Sequence, residues 1–226
     1  LRNYMKAIMS DVCPWCVVSA STVGWAKRLF PELTDEEAYL KLWDQILSAC
    51  RAKGEDPVAD WEEHISILDE KAKFLHENEL VKLHITNELG TDLYVGLPKG
   101  HIWQSAGSYA KKADRFVANI PTEEVFTMPH KEQTSGIVYN AKPLNYSGVL
   151  IDNFWLKFEE GKVVDFGAER GYDVLKNLLD TDEGSRKIGE MALVPFDSPI
   201  SNTGILFLET LFDENAACHI ALGKAY

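Results

Sequence analysis

Long apolar runs are missing from this chain of 226 residues: none approaches the length of a membrane span, and nothing at its start has the makeup of a signal peptide. Basic residues are in the minority, 23 against 35 acidic ones, and the formal net charge of -12 disfavours nucleic acid or an anionic membrane as partner. The same charge leaves room for metal ions or for substrates with a free amino group. Cysteine is scarce. Four thiols make no disulfide scaffold, and a reduced, cytoplasmic setting is expected. The sequon Asn145-Tyr146-Ser147 would matter only in a secreted protein. There is no Gly-x-Gly-x-x-Gly, no Walker loop and no His-Glu-x-x-His. Gln104-Ser105-Ala106-Gly107 has Trp103 where a nucleophile elbow needs its first glycine, which argues against a hydrolase serine. Internal repeats and low-complexity segments are absent as well.

What is present fits an ordinary globular protein, with 46% hydrophobic and 26% charged residues. The length suits one large domain, or one domain with a helical annex. Thr34-Asp35-Glu36-Glu37 reads as a capping box, followed by Tyr39, Trp43, Ile46, Leu47 and Cys50 at helical spacing. Asp56-Pro57 opens a second helix with Val58, Trp61, Ile65, Leu68 and Leu75 as its apolar stripe. The two are expected to pair antiparallel across the short connection at 54–56.

The period then changes. Val81, Leu83 and Ile85, then Leu93, Val95 and Leu97, alternate with polar residues and predict a hairpin or two adjacent strands. Further strands are expected at 115–118, 136–139, 149–151, 154–158 and 162–166, with a turn at 159–162. Helix is expected again at 172–179 and near 185–190. The fold class is α/β (α+β), a mixed or antiparallel sheet with flanking helices.

Few residues suggest chemistry by themselves. Cys13-Pro14-Trp15-Cys16 has the spacing of a redox pair or half a zinc site, but Cys50 and Cys218 stand alone and no helix pattern follows directly. Small buried cysteines are the plainer expectation. His64 and His76 fall on the second helix, where a solvated face is the default, and His84 and His101 have no local partner. Two acidic stretches stand out. Asn119-Ile120-Pro121-Thr122-Glu123-Glu124-Val125-Phe126-Thr127-Met128-Pro129-His130 sets two carboxylates in an extended, proline-bounded segment. Ile188-Gly189-Glu190-Met191-Ala192-Leu193-Val194-Pro195 leads a carboxylate into an apolar run, which is unfavourable unless the charge is paired or binds a cation.

Taken with His219 through Tyr226, these two stretches resemble the aminopeptidase T, aminopeptidase S and PepS family of metalloaminopeptidases. Ser198-Pro199-Ile200-Ser201, the hairpin around Gly161 and the region from Pro14 to Pro31 are similar to that family too, so the resemblance covers nearly the whole chain. It implies two divalent metal ions (zinc, cobalt or magnesium) with Glu124, Glu190, His219 and Tyr226 as ligands. Glu123 is then the ligand's neighbour and the one candidate for a proton shuttle. The resemblance also implies a peptide substrate with a free N-terminus and a homodimer. A carboxylate can bridge two cations, imidazole suits zinc or cobalt, and phenol needs a metal's help to ionise. Cations lower the pKa of a bound water from 15.7 toward about 7.

The family's later His-x-Asp ligand pair and its leading α/β domain have no counterpart here. Leu1 and Tyr226 are therefore expected to be ends of a piece of a longer polypeptide. Residues 1–113 are expected to form helices and first strands, and 114–226 the metal-binding catalytic region. Two other functions stay open at this point: a thiol-disulfide oxidoreductase using Cys13 and Cys16, and a non-catalytic binding fragment.

Overall fold

The computed structural model describes residues 4, 7–8, 10–111 and 115–224. Helix α1 (Val23–Leu29) leads into α2 (Asp35–Ala49), where the expected capping box is formed by Thr34 and Glu37. Helix α3 (Pro57–Glu77) starts on Asp56, whose side chain accepts the Ala59 N–H, with Pro57 in the first turn.

The two long helices do not form the expected antiparallel pair. Helix α2 packs with α1 and with Ile200, Phe207, Leu211 and Phe212 far along the chain. Helix α3 sends Leu68 and Ala72 into a separate core with Leu97, Trp103 and Val125. Each helix thus has its own apolar partner, and the Trp61 indole, donating to the Cys50 carbonyl, ties the start of α3 to the end of α2. The expected stripe on α3 is also shifted. Val58 is 69% exposed whereas His64 is buried.

The largest sheet has six strands, all antiparallel: β1 (Lys82–Thr86), β2 (Asp92–Gly96), β6 (Thr134–Tyr139), β7 (Leu144–Tyr146), β8 (Val149–Glu159) and β9 (Lys162–Arg170). Strands β1 and β2 form the expected hairpin, Lys82 opposite Gly96 and Thr86 opposite Asp92. Strands β8 and β9 meet through Glu160 and Gly161, at φ 48° and 77°, the two positive values that a tight hairpin turn requires. Helix α4 (Tyr172–Leu179) covers this sheet with Leu175 and Leu179. A short ribbon, β3 (Gly107–Tyr109) with β4 (Arg115–Val117), stands apart.

The third sheet positions the site. Its strands are β5 (Val125–Thr127), β10 (Ile188–Leu193) and β11 (His219–Leu222), with β10 in the middle. Helix near 185–190 was the expectation, and strand β10 stands there instead. Asp182 accepts the N–H groups of Gly184 and Ser185 and closes a turn, after which Ile188, Met191 and Ala192 are buried between two neighbours. A strand covered on both faces reads as a continuous apolar run, and periodicity cannot separate that from a buried helix. The short helices α5 (Pro199–Asn202) and α6 (Thr210–Glu214) close the helical layer. Among the described residues no helix is long and apolar enough to cross a membrane.

Candidate metal centre

Register on the three-stranded sheet explains which side chains meet. Ala192 on β10 lies opposite Phe126 on one side and His219 on the other. Side chains alternate along a strand, so Glu190 shares the face of Ala192, and Glu124, two residues before Phe126, shares it too. Ala192 is small and fully buried, and it separates the two carboxylates without filling the space between them. His219 Nε2 approaches Glu124 Oε2 to 3.0 Å and Glu190 Oε1 to 3.9 Å. Ligand atoms from Glu124, Glu190 and His219 all lie within 4.8 Å of one another, the one such group of three among the described residues.

Gly189 makes this geometry possible. The pairing of β10 with β11 shifts between Ile188 and Glu190, and a Cβ on Gly189 would stand 2.5 Å from the Lys224 carbonyl and 2.8 Å from that of Gly223. Any side chain there would push β11 off β10 and carry His219 with it.

The electrostatics are those of a site short of positive charge. Burial and the nearby Glu124 push the Glu190 carboxyl above its ordinary value, against the pull of His219. Glu214, on α6, is pushed up to about 7 by burial and then by Glu124, with Glu190 and Glu209 adding to the effect. Burial works against the charged form of His219, but Glu124, the Ala217 carbonyl and Glu214 outweigh it and push the imidazole up to about 9. Glu124 itself is buried, and its Oε2 has no aligned hydrogen-bond donor. A buried carboxylate oxygen left in that state fits a cation as its missing partner. Carboxylate and imidazole donors together suit a divalent metal.

Glu123 points the other way, as an adjacent residue in an extended segment must. The guanidinium of Arg51 meets both its oxygens, Nη2 to Oε2 at 2.9 Å and Nη1 on Oε1. Its backbone N–H donates to Asn215 Oδ1 at 2.7 Å. His64, expected on a solvated face, is buried against Trp61 and donates from Nε2 to the Thr122 carbonyl at 2.7 Å. Burial holds its imidazole below the ordinary value, so it is a neutral donor. His76 is exposed as expected. His84 does have a local partner, for it stacks on Tyr94 and sits 2.7 Å from Asp92 Oδ1.

Tyr226 lies outside the described residues, whereas Glu124, Glu190 and His219 are brought together. Glu214 was not foreseen. The one signal for it is an acidic pair, Asp213-Glu214, five residues ahead of His219. Cys13 and Cys16 are not buried, as expected, but exposed and free. They precede an extended stretch in which Val17 bridges to Asn119, and α1 begins only at Val23. A reactive pair of this spacing gains its low pKa at a helix start, and these two lack that placement. The one buried thiol, Cys50, is pushed up to about 12 by burial.

The chain is 49% identical over 226 residues to Aminopeptidase AmpS of Bacillus subtilis, covering 100% of this chain and 55% of that protein. It is 50% identical over 225 residues to Aminopeptidase T of Thermus aquaticus, again with 100% and 55% coverage. It therefore spans about half the length of the curated relatives it matches. The solved structure of wild-type AmpT from Thermus thermophilus superposes with a TM-score of 0.92 at 45% identity, over 99% of this chain and 55% of that one. The family model described as thermophilic metalloprotease (M29) matches residues 1–226, and the chain belongs to that family.

Proposed function

We propose that this chain carries the metal-binding region of an aminopeptidase that removes N-terminal residues from peptides with the help of two divalent cations. The observation that carries the proposal is the convergence of Glu124, Glu190 and His219 within 4.8 Å on one sheet face, where the His219 imidazole is, among the described residues, the one cationic group beside two buried or half-buried carboxylates. The half of the chain from 114 to 226 supplies these ligands. The half before it supplies the helices behind them.

Glu124 and Glu190 would hold the cations and offset their charge. His219 adds a nitrogen donor that favours zinc or cobalt over magnesium. Tyr226 completes the set by resemblance to the family. When bound, the cations supply Lewis acidity that polarises the scissile carbonyl and acidifies water. The acidic surroundings favour the ammonium group of a free N-terminus and disfavour substrates with a negative charge there. Glu123 stands in an ion pair on the reverse face, so we read it as a support for Glu124 and not as a proton carrier. The four free cysteines support a reducing compartment. The family resemblance supports a homodimer.

The test uses the full-length protein. It should release amino acids from peptide amides, lose that activity to a chelator and regain it with zinc or cobalt. Glu190→Ala should abolish release while leaving the melting temperature of the metal-free form in place. Undiminished turnover in that variant would sink the ligand assignment.

A further inference from the structure

The geometry points to Arg51 and Glu123 as a positioning pair that aims Glu124 at the metal centre. The inference rests on the metal-binding reading above and adds residues that touch neither metal nor substrate.

Three side chains from three separate elements pin two consecutive residues. His64 on α3 holds the Thr122 carbonyl, Asn215 just beyond α6 holds the Glu123 N–H, and Arg51 just beyond α2 grips the Glu123 carboxylate in a two-pronged fork. Asn215 is fully buried and is itself fixed by donating to the Leu211 carbonyl at 2.9 Å. The run from 121 to 125 is buried at every position. Glu124 leaves the backbone directly after the pinned residue, on the opposite face, so a rotation at Glu123 would swing its carboxylate away from Glu190 and His219.

Arg51 also occupies an unusual backbone conformation. It ends α2 at φ 52°, in the left-handed region where glycine or asparagine is the usual choice. The Ala52 N–H reaches the Leu47 carbonyl and the Arg51 N–H that of Ser48, so the helix end would be served as well by glycine. What glycine lacks is the fork, whose planar two-donor geometry lysine cannot reproduce. Arginine in a strained position, engaging a carboxylate 3% exposed next to a ligand, has the layout of a group that orients a metal ligand from behind.

The test is a cobalt(II) titration of the full-length protein, read by the visible absorption of the bound ion and by the melting temperature of the metal-free form. Glu123→Gln keeps the shape and the backbone bond to Asn215, and Arg51→Lys keeps the charge but removes the fork. Both should bind cobalt about ten- to a hundredfold more weakly than the parent, with a displaced absorption band. Thr34→Ala, which loses the capping box at the end of α2 opposite Arg51, should lower the melting temperature and leave cobalt affinity and band in place. If Glu123→Gln and Arg51→Lys bind cobalt with the parent's affinity and spectrum, the pair is purely structural and the inference falls alone. A parent that binds no cobalt overturns the metal-binding reading and this one with it.

Discussion

Glu123 and Glu124 are adjacent, alike in chemistry and nearly equal in burial, 2% and 7% exposed, yet they meet opposite fates. On the helical side, Glu123 has a guanidinium on both oxygens and a fixed amide on its backbone. On the sheet side, Glu124 shares a single imidazole with Glu190, and that imidazole is not aligned as a donor to its buried oxygen. A fold that can satisfy one buried carboxylate so fully and leaves its neighbour short has placed the shortage where a cation can make it good. The difference separates a charge that stabilises the fold from a charge held ready for a ligand.

The largest effect should come from breaking the satisfied side. Arg51→Ala leaves Glu123 buried without its counter-charge and should lower the unfolding free energy by about 3 kcal/mol in urea denaturation. Glu190→Gln, measured after chelation, should leave it unchanged or raise it by up to about 1 kcal/mol, because it removes one of two carboxylates crowded onto one imidazole. Equal losses in the two variants would erase the contrast. A smaller effect tests how the sheet side is built. Gly189→Ala forces a Cβ against the Lys224 and Gly223 carbonyls and should cost about 1–3 kcal/mol. Hydrogen exchange should then show lost amide protection along 219–222, and none of that loss near Arg51.

The two sides were not equally legible. Local signals were reliable wherever a short stretch contains its own explanation: the Thr34–Glu37 capping box, the Glu160–Gly161 turn and the 172–179 helix all stand where the pattern put them. Strand β10 was misread as helix because its neighbours, β5 and β11, lie far away in sequence. His64 was misread because its partner is a backbone carbonyl 58 residues on. The fork between Arg51 and Glu123 spans 72 residues and left no local trace. Glu124, Glu190 and His219 stood out as a set only through the family resemblance, for nothing in their spacing says that β5 and β11 flank β10 in this register. Glu214 joins them from a helix that shows no periodicity of its own.

Asp213 stands between the two cases and supplies the finest test of the contrast. Its oxygens accept the N–H groups of Phe207 at 2.7 Å and Glu209 at 3.1 Å, so it is partnered, but by neutral donors and with the anionic Glu209 nearby. Burial pushes its carboxyl up to about 6 despite those bonds. A folded-state pKa above the unfolded one means that the native form binds the proton more tightly. The resulting stability is present in full below about pH 4 and is lost as pH rises through about 6. Asp213→Asn keeps one accepting oxygen and does not titrate. Relative to that variant, the parent should therefore lose unfolding free energy between about pH 4 and pH 6, then run parallel to it. The loss should be about 1 kcal/mol after allowance for the part of the carboxylate that water still reaches. Parallel curves over the whole range would show that neutral donors hold a buried carboxylate as well as the Arg51 guanidinium does. The need for a counter-charge, on which the reading of Glu124 depends, would then be weaker on both sides of the segment.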